Sequence, residues 1–431
     1  MAFLYVSAIK WLEVANGMLK FSPYDDNDVC RTYVPHSWLR FPKRSGLIAR
    51  KMSSYGVGIS EETRSYATAK NAVIIDLRSD TLTKPSEAMK MAMYNADLGD
   101  DVYGEDPTVK KLEKKAADLL GKEAAVFVTS GTMGNLIAIM NHCDVRGSEA
   151  YCGEESHTNL HEQGGAAQLG GVTLSTLPNE SNGTFDLKKL ESKLRSDRLH
   201  EPISKLVIVE NTINGKVLPQ SWIDDLVILA KKRNLKLHMD GARLWNASVA
   251  SGIPAKDIVS GFDSVTFCLS KGLGAPVGSL LCGSKSFVER ARRIRKVLGG
   301  GMRQVGVLAA AGLVAIDEVI PILKDDHRRA ASIMTAINEM KSRIFSVDSK
   351  TTHTNMVMVT LNGCSAKKFA ERLQLVADDD NDDDKAIVKS LALNESLVRF
   401  VLYHEINDEL LNSVIRKVRY VIKELDPVLN S

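Results

Sequence analysis

From residue 73 onward, short apolar runs alternate with stretches of helical period. The runs 124–130 (AAVFVTS), 206–211 (LVIVEN), 236–241 (KLHMDG), 264–271 (SVTFCLSK) and 278–283 (GSLLCG) read as buried strands. Between them the period changes. Pro107 opens a helix with Val109, Leu112, Ala116 and Leu119 on one face, and Gly121 ends it. Residues 222–233 (WIDDLVILAKKR) form another helix. Apolar strands alternating with helices predict a mostly parallel sheet covered on both faces. After about residue 285 the pattern turns to long helices with two late strands, 355–361 and 397–403. The chain closes on a helix striped by Leu411, Val414, Ile415, Val418 and Ile422. The expected organisation is α/β, with a large mostly parallel-sheet domain over 72–320 and a smaller C-terminal α/β domain over 321–431.

Residues 1–71 break the pattern, with aromatics, scattered charges and no sustained period. Residues 1–70 hold 10 Lys/Arg and 6 Asp/Glu, a net +4 against +3 for the whole chain, so the other 361 residues sum to −1. From Cys30 to Ser60 no acidic residue occurs, in part the composition of a transit peptide. Against that stand Asp25, Asp26 and Asp28 just before it, and an N-terminus unlike a secretory signal. The alternatives are a targeting leader, a disordered tail or a misplaced start. Localisation is accordingly cytoplasmic, or mitochondrial if the leader targets. The neutral body argues against nucleic-acid binding.

The composition, 44% hydrophobic and 25% charged, suits a globular chain. Six cysteines without zinc-ligand spacing make no disulfide scaffold, and Cys268 and Cys282 lie in apolar runs as buried thiols. A reducing compartment follows. No apolar run reaches membrane-spanning length; the longest, 305–316, has 12 residues with two glycines. Six Asp in seven residues at 378–384 predict an exposed loop.

Three places could carry chemistry. Lys271 ends an apolar strand and meets a Gly-rich turn. A lysine there either snorkels to the surface or, desolvated, becomes a nucleophile towards carbonyls. His238-Met239-Asp240-Gly241-Ala242-Arg243 ends another strand, with Asp240 31 residues before Lys271. Carboxyl ends of parallel strands converge on the ligand crevice of an open α/β sheet. A strand-end lysine with a strand-end carboxylate is what pyridoxal 5′-phosphate (PLP) requires: one holds the aldehyde, the other the protonated ring nitrogen. A structural alternative has Asp240 capping a helix or pairing Arg243. Third, Thr129-Ser130-Gly131-Thr132 joins a strand to an apolar helix and could receive a phosphate on its backbone N–H groups.

Together these residues resemble the low-specificity L-threonine aldolases, PLP-dependent enzymes of the aspartate-aminotransferase-like fold (fold type I). The matching blocks are DLRSDT (76–81), GDDVYGEDPT (99–108), SGTMGN (130–135), GEESH (153–157), HMDGARLWNA (238–247), CLSKGLGAPVGS (268–279), GGGMRQ (299–304) and VRF (398–400). They cover all but the leader.

The resemblance implies roles position by position. Lys271 would hold the cofactor as a Schiff base, Asp240 its ring nitrogen, Arg243 the region of its 3′-oxygen, and Gly131 and Thr132 its phosphate. Arg303 would reach the phosphate of a neighbouring subunit's cofactor, and Tyr103 would enter a partner's site, in a homotetramer built as a dimer of dimers. Ser79 and Arg399 would hold the substrate carboxylate. His157 would stack on the ring, and His200 would lie near the substrate β-hydroxyl, either one able to take its proton. Read alone, both histidines suit exposed polar segments. The implied reaction cleaves L-threonine or L-allo-threonine to glycine and acetaldehyde, with no metal and no membrane or nucleic-acid partner. Ile213 stands where the family commonly has a histidine. A β-eliminating PLP lyase, or an inert scaffold of the same fold, is the alternative; loss of Lys271, Asp240 or Arg399 would have signalled the latter, and none is lost.

Overall fold

The computed structural model describes residues 72–196, 198–376 and 385–430. The leader and the Asp run at 378–384 lie outside the described residues. The chain enters through strand β1 (Val73–Asp76) and helix α1 (Glu87–Tyr94), then α2 (Pro107–Leu120). The Asp106 side chain caps α2 by accepting from the Thr108 and Val109 amides, and Gly121 ends it at φ 60°, where a Cβ is penalised. Val109, Leu112 and Ala116 are buried as the spacing predicts. Leu119 instead is 37% exposed, and Ala117 and Leu120 face the core. The stripe drifts by one position because 3.6 residues per turn do not repeat on a strict heptad.

Seven strands form the main sheet: β2 (Ala124–Val128), β3 (Ser148–Gly153), β4 (Thr173–Leu177), β5 (Ile203–Glu210), β6 (Lys236–Asp240), β7 (Ser264–Cys268) and β8 (Ser279–Gly283). Their order is β2-β8-β7-β6-β5-β3-β4. β8 alone runs against the direction of the other six. The sequence reading found five of these strands; β3 (SEAYCG) and β4 (TLSTL) carry too much polarity to stand out. The predicted strand over 264–271 stops at Cys268, which leaves Lys271 in the turn beyond it.

Both faces are covered. Val207, Leu237, Met239, Val265, Phe267 and Leu280 join the large core. Their neighbours Leu206, Ile208 and Leu281 point the other way, into two smaller clusters. Helix α3 (Gly131–His142) crosses that second face, close enough that a Cβ on Gly134 would lie 2.7 Å from Thr266 Cγ2. Under α3 the face changes character. Where β6 and β7 should present apolar side chains, they present His238, Asp240, Ser264 and Thr266, all buried. Cys268 and Cys282 are buried free thiols, as expected.

A second core holds β9 (Phe345–Val347), β10 (Met356–Leu361), β11 (Ala386–Lys389), β12 (Leu391–Asn394) and β13 (Leu397–Val401). Four of these make an antiparallel sheet ordered β12-β13-β10-β9, while β11 pairs in parallel with β1. Ile75 and Leu77 thus pack in the C-terminal core rather than with the residues that follow them. The last helix buries Leu411, Val414, Val418 and Ile422 there, with Ile415 partly buried. From Gly306 the helical path continues to Asn338, 33 residues long and apolar enough by composition to cross a membrane. It outruns the apolar stretch seen in sequence because the path continues through Pro321. Half of its apolar window is buried inside the molecule; Ala309, Ala311 and Ala315 belong to the large core, and Ile333 and Ile337 to the second.

Candidate active site

β3, β5, β6 and β7 run in one direction, so their carboxyl ends share one edge of the sheet. Glu210 and Asp240 are register partners at that edge. Asp240 is buried; its Oδ1 accepts from the Ala242 amide at 3.1 Å, and its Oδ2 accepts from Asn135 Nδ2 at 2.8 Å. Asn135, from α3, also donates to Glu162 Oε1 at 2.9 Å. The same Glu162 oxygen lies 3.0 Å from His157 Nδ1. His157 opens a short helix, His157–Leu160, just after β3, and its amide donates to Glu210 Oε2 at 2.7 Å.

The charges are strongly coupled. The hydrogen bond to Glu162 raises the His157 pKa, against the opposing effect of burial, and Asp240 adds to the rise. Burial raises Glu162 as well. Glu210 is pushed up to about 7 by burial and by the Asp240 carboxylate. Lys271 is half-buried, and its charge acts on His157, Glu210 and Asp80. Its carbonyl accepts from Thr83 Oγ1 at 2.9 Å.

Arg243 does not pair with Asp240. Its Nε and Nη2 donate to the two oxygens of Asp80, at 2.7 and 2.5 Å. Asp80 is fully buried. Burial alone would raise its pKa, but Arg243 first, then Lys271 and Asn355, hold the carboxyl below its ordinary value. Ser79, the preceding residue, caps a short 3-10 turn by accepting from the Thr81 amide. Arg399, on β13, donates from Nη2 to the Arg78 carbonyl at 2.9 Å. Arg399, from the far end of the described chain, therefore lies against the backbone just before Ser79.

The other expected residues fall into separate groups. Ser130 caps α3 by accepting from the Met133 amide, which leaves Gly131 and Thr132 in the first turn. Amides there have no partner inside the helix. Tyr103 and Arg303 meet each other, the guanidinium 6.0 Å from the ring centroid, and Arg303 pairs with Asp100 at 3.0 Å. Both are exposed. His200 lies in an exposed turn before β5, at the strand end opposite Glu210. Eight residues at about 3.3 Å each separate those ends. A role for His200 near a β-hydroxyl thus does not arise in its own chain's site and needs a neighbouring copy. Ile213 is buried against the Gly183 backbone, so apolar packing occupies the position where a histidine was expected.

The sequence reading missed Asp80, Asn135, Glu162 and Glu210. Glu210 stands at a strand end beside Asn211, the same signal that singled out Asp240. Asn135 and Glu162 gave no local sign, since their partners are far along the chain. His157, Glu162 and Asp240 each offer an atom within 4.8 Å of the others, a spacing that could hold a cation. Asn135 already bridges the two carboxylates, which accounts for the cluster without one.

A family model described as beta-eliminating lyase matches residues 76–362. Low-specificity L-threonine aldolase 1 of Arabidopsis thaliana is 45% identical over 337 residues, 77% of this chain and 92% of its own. The chain belongs to the low-specificity L-threonine aldolase family. The fold is that of PLP-dependent fold type I. The Leishmania major threonine aldolase structure superposes with a TM-score of 0.67 at 19% identity, covering 80% of this chain and 99% of its own. A structure of SPT with PLP gives 0.62 at 18%, covering 81% and 88%.

Threonine aldolases of this family are PLP enzymes, and the residues present fit that cofactor. A strand-end carboxylate, a lysine just beyond the next strand, and helix-start amides beside a glycine form the donor set it needs. The fit at Gly131 is tight: a Cβ there would lie 2.8 Å from Cys268 Sγ.

Proposed function

We propose that this protein cleaves L-threonine and L-allo-threonine to glycine and acetaldehyde by breaking the Cα–Cβ bond. The observation that carries the reading is the union of Lys271, Asp240 and the His157–Glu162 pair at one sheet edge, in a chain 45% identical to a low-specificity L-threonine aldolase. When bound, PLP supplies an aldehyde and an electron-withdrawing ring that make that bond breakable. Lys271 would hold the aldehyde, and Asp240 would hold a proton on the ring nitrogen. Gly131 and Thr132 would receive the phosphate at the start of α3. Arg243, fixed by Asp80 through Nε and Nη2, would face the 3′-oxygen.

Ser79 and Arg399 hold the substrate carboxylate, whose planar shape suits a guanidinium fork. His157 is the group that takes the β-hydroxyl proton. Its Nδ1 faces Glu162, so in the neutral ring Nδ1 carries the hydrogen and Nε2 is basic. Glu162 then stabilises the imidazolium, as the carboxylate does in a Ser-His-Asp triad. Returning the proton from His157 completes the cycle.

The active unit in this reading is a homotetramer, a dimer of dimers with shared sites. Tyr103 and Arg303 of one subunit complete a neighbour's site. Supporting this is an apolar surface along one short stretch: Met91, Tyr94, Leu98, Val102 and Tyr103 are 56, 85, 47, 40 and 75% exposed. Isolated apolar residues are normal on a surface, but five exposed within thirteen positions of chain suit a contact face.

The test is product analysis. Purified protein with PLP should release glycine and acetaldehyde from L-threonine in equal amounts, and K271A should release neither. A keto acid with ammonia in their place would identify a β-eliminating lyase instead. Protein that binds no PLP would overturn the cofactor reading as well.

A further inference from the structure

The polar stripe under α3 is a continuous hydrogen-bonded chain that starts at Asp240 and leaves the site. Asn135 joins Asp240 and Glu162 through its amide nitrogen. Its Oδ1 lies 3.0 Å from His238 Nε2. His238 Nδ1 lies 2.8 Å from Ser264 Oγ, and Ser264 Oγ lies 2.7 Å from His142 Nε2. Asn135, His238 and Ser264 are all buried. His142 stacks on Phe287, with ring centroids 4.7 Å apart, and lines a cavity of about 510 Å³ beside Lys122, Lys236, Asp263 and Arg290.

One set of donors and acceptors satisfies every side-chain bond in this chain. Two carboxylates face the Asn135 amide nitrogen, so both its hydrogens are taken and Oδ1 must accept. His238 therefore carries its hydrogen on Nε2. Its ring is neutral, because burial lowers its pKa to about 3, so Nδ1 is bare and must accept. The Ser264 hydroxyl donates to it, and the Ser264 oxygen accepts from His142 Nε2. From His142 to Asp240 every donor faces the same way, and aligned bonds strengthen one another at low dielectric. The opposite His238 tautomer would set a lone pair against Asn135 Oδ1.

We infer that Asn135 and His238 are positioning residues for Asp240: His238 fixes the Asn135 amide, and the amide fixes the carboxylate in the orientation that meets the ring nitrogen. Ser264 and His142 act through them by selecting the His238 tautomer. The inference rests on the PLP reading. It explains why His238 and Ser264 interrupt an otherwise apolar face, which desolvation would oppose without a purpose. The titratable groups around Asp240 are Glu210 from β5, Glu162 and His157 from the segment after β3, and Lys271 beyond β7. Those around His142 are Asp144, Lys236, Asp263 and Arg290.

The experiment compares H238L, H238Q and S264A with the wild-type holoenzyme. Three quantities are read: the PLP dissociation constant, the visible absorption of bound cofactor against pH, and kcat against KM. H238L leaves Asn135 Oδ1 buried without a donor, a loss expected to weaken PLP binding about 10-fold or more. It should also move the pH at which the visible band changes, and lower kcat with little effect on KM. Glutamine can set an amide hydrogen near the place of Nε2–H, so H238Q should restore the band and most of the affinity. S264A should shift the same quantities in the same direction by less. H238L protein that folds but matches wild type in affinity and spectrum overturns the inference. If H238L does not fold, wild-type behaviour of both S264A and H238Q overturns it, whereas a shift in S264A alone sustains it. Wild-type protein that takes up no PLP marks failure of the cofactor reading instead.

Discussion

Replacing Asp80 by asparagine tests the buried anchor behind Arg243. Asp80 is fully buried, and the Arg243 side chain is 13% exposed. Removing one partner of a buried ion pair typically costs about 3–5 kcal/mol, because the other charge stays behind uncompensated. Water can reach one edge of Arg243, so the lower end, about 3 kcal/mol, is expected. Asparagine also turns an N–H group towards Nε or Nη2, where an oxygen now accepts. The sign with pH follows from the lowered pKa of Asp80. A carboxyl held down in the folded state stabilises above its unfolded pKa of about 3.9, and that stabilisation is lost as pH falls through the folded value. The gap between wild type and D80N should therefore be largest near neutrality and shrink in acid. Urea unfolding of the PLP-free protein, followed by far-UV circular dichroism at several pH values, measures it. A D80N protein within about 0.5 kcal/mol of wild type at neutral pH would refute the argument. So would a penalty that stays constant into acid.

Other perturbations have equally definite outcomes. G131A should weaken PLP binding about 10-fold or more, since its Cβ would sit 2.8 Å from Cys268 Sγ; C268A in the same chain should relieve the contact and recover affinity, and titration of the cofactor's absorbance reads both. E162Q removes the charge that raises the His157 pKa, so the acidic limb of kcat should move to lower pH while kcat falls; an unmoved limb removes His157 as the base. K271A and R303L should each be inactive, but mixed subunits should regain aldehyde release, because one protomer supplies Lys271 and its neighbour Arg303. Failure of the mixture, with hybrids shown to form, would end the shared-site reading.

Much of the fold was legible in the chain. The five recognised strands of the main sheet are apolar along their length because both faces are covered, and such runs are visible without any partner. Lys271 and Asp240 were legible for a related reason: a charged residue ending an apolar strand has a desolvation cost that invites an explanation. β3 and β4 were not, since burial of Ser148 and Glu149 depends on partners such as the Val145 carbonyl, Tyr151 and Arg195.

Local sequence by itself determined the α/β alternation and the ends of α2 at Pro107 and Gly121, and it singled out a lysine and a carboxylate at strand ends, the pairing PLP requires. These follow from propensity, period and desolvation, which act over a few residues. Only the tertiary structure decided who partners whom. Arg243 could have paired with Asp240 three residues away, yet it pairs with Asp80, 163 positions distant. β1 could have joined the sheet that follows it, yet it lies beside β11. The resemblance puts His200 near the substrate β-hydroxyl, yet strand direction sends it to the opposite edge of its own chain's sheet. Asn135, Glu162 and His238 became one network because α3 crosses β6 and β7 at the stripe where polar side chains stand. Such pairings are set by which surfaces must leave water together, and that is a property of the packed chain rather than of any segment within it.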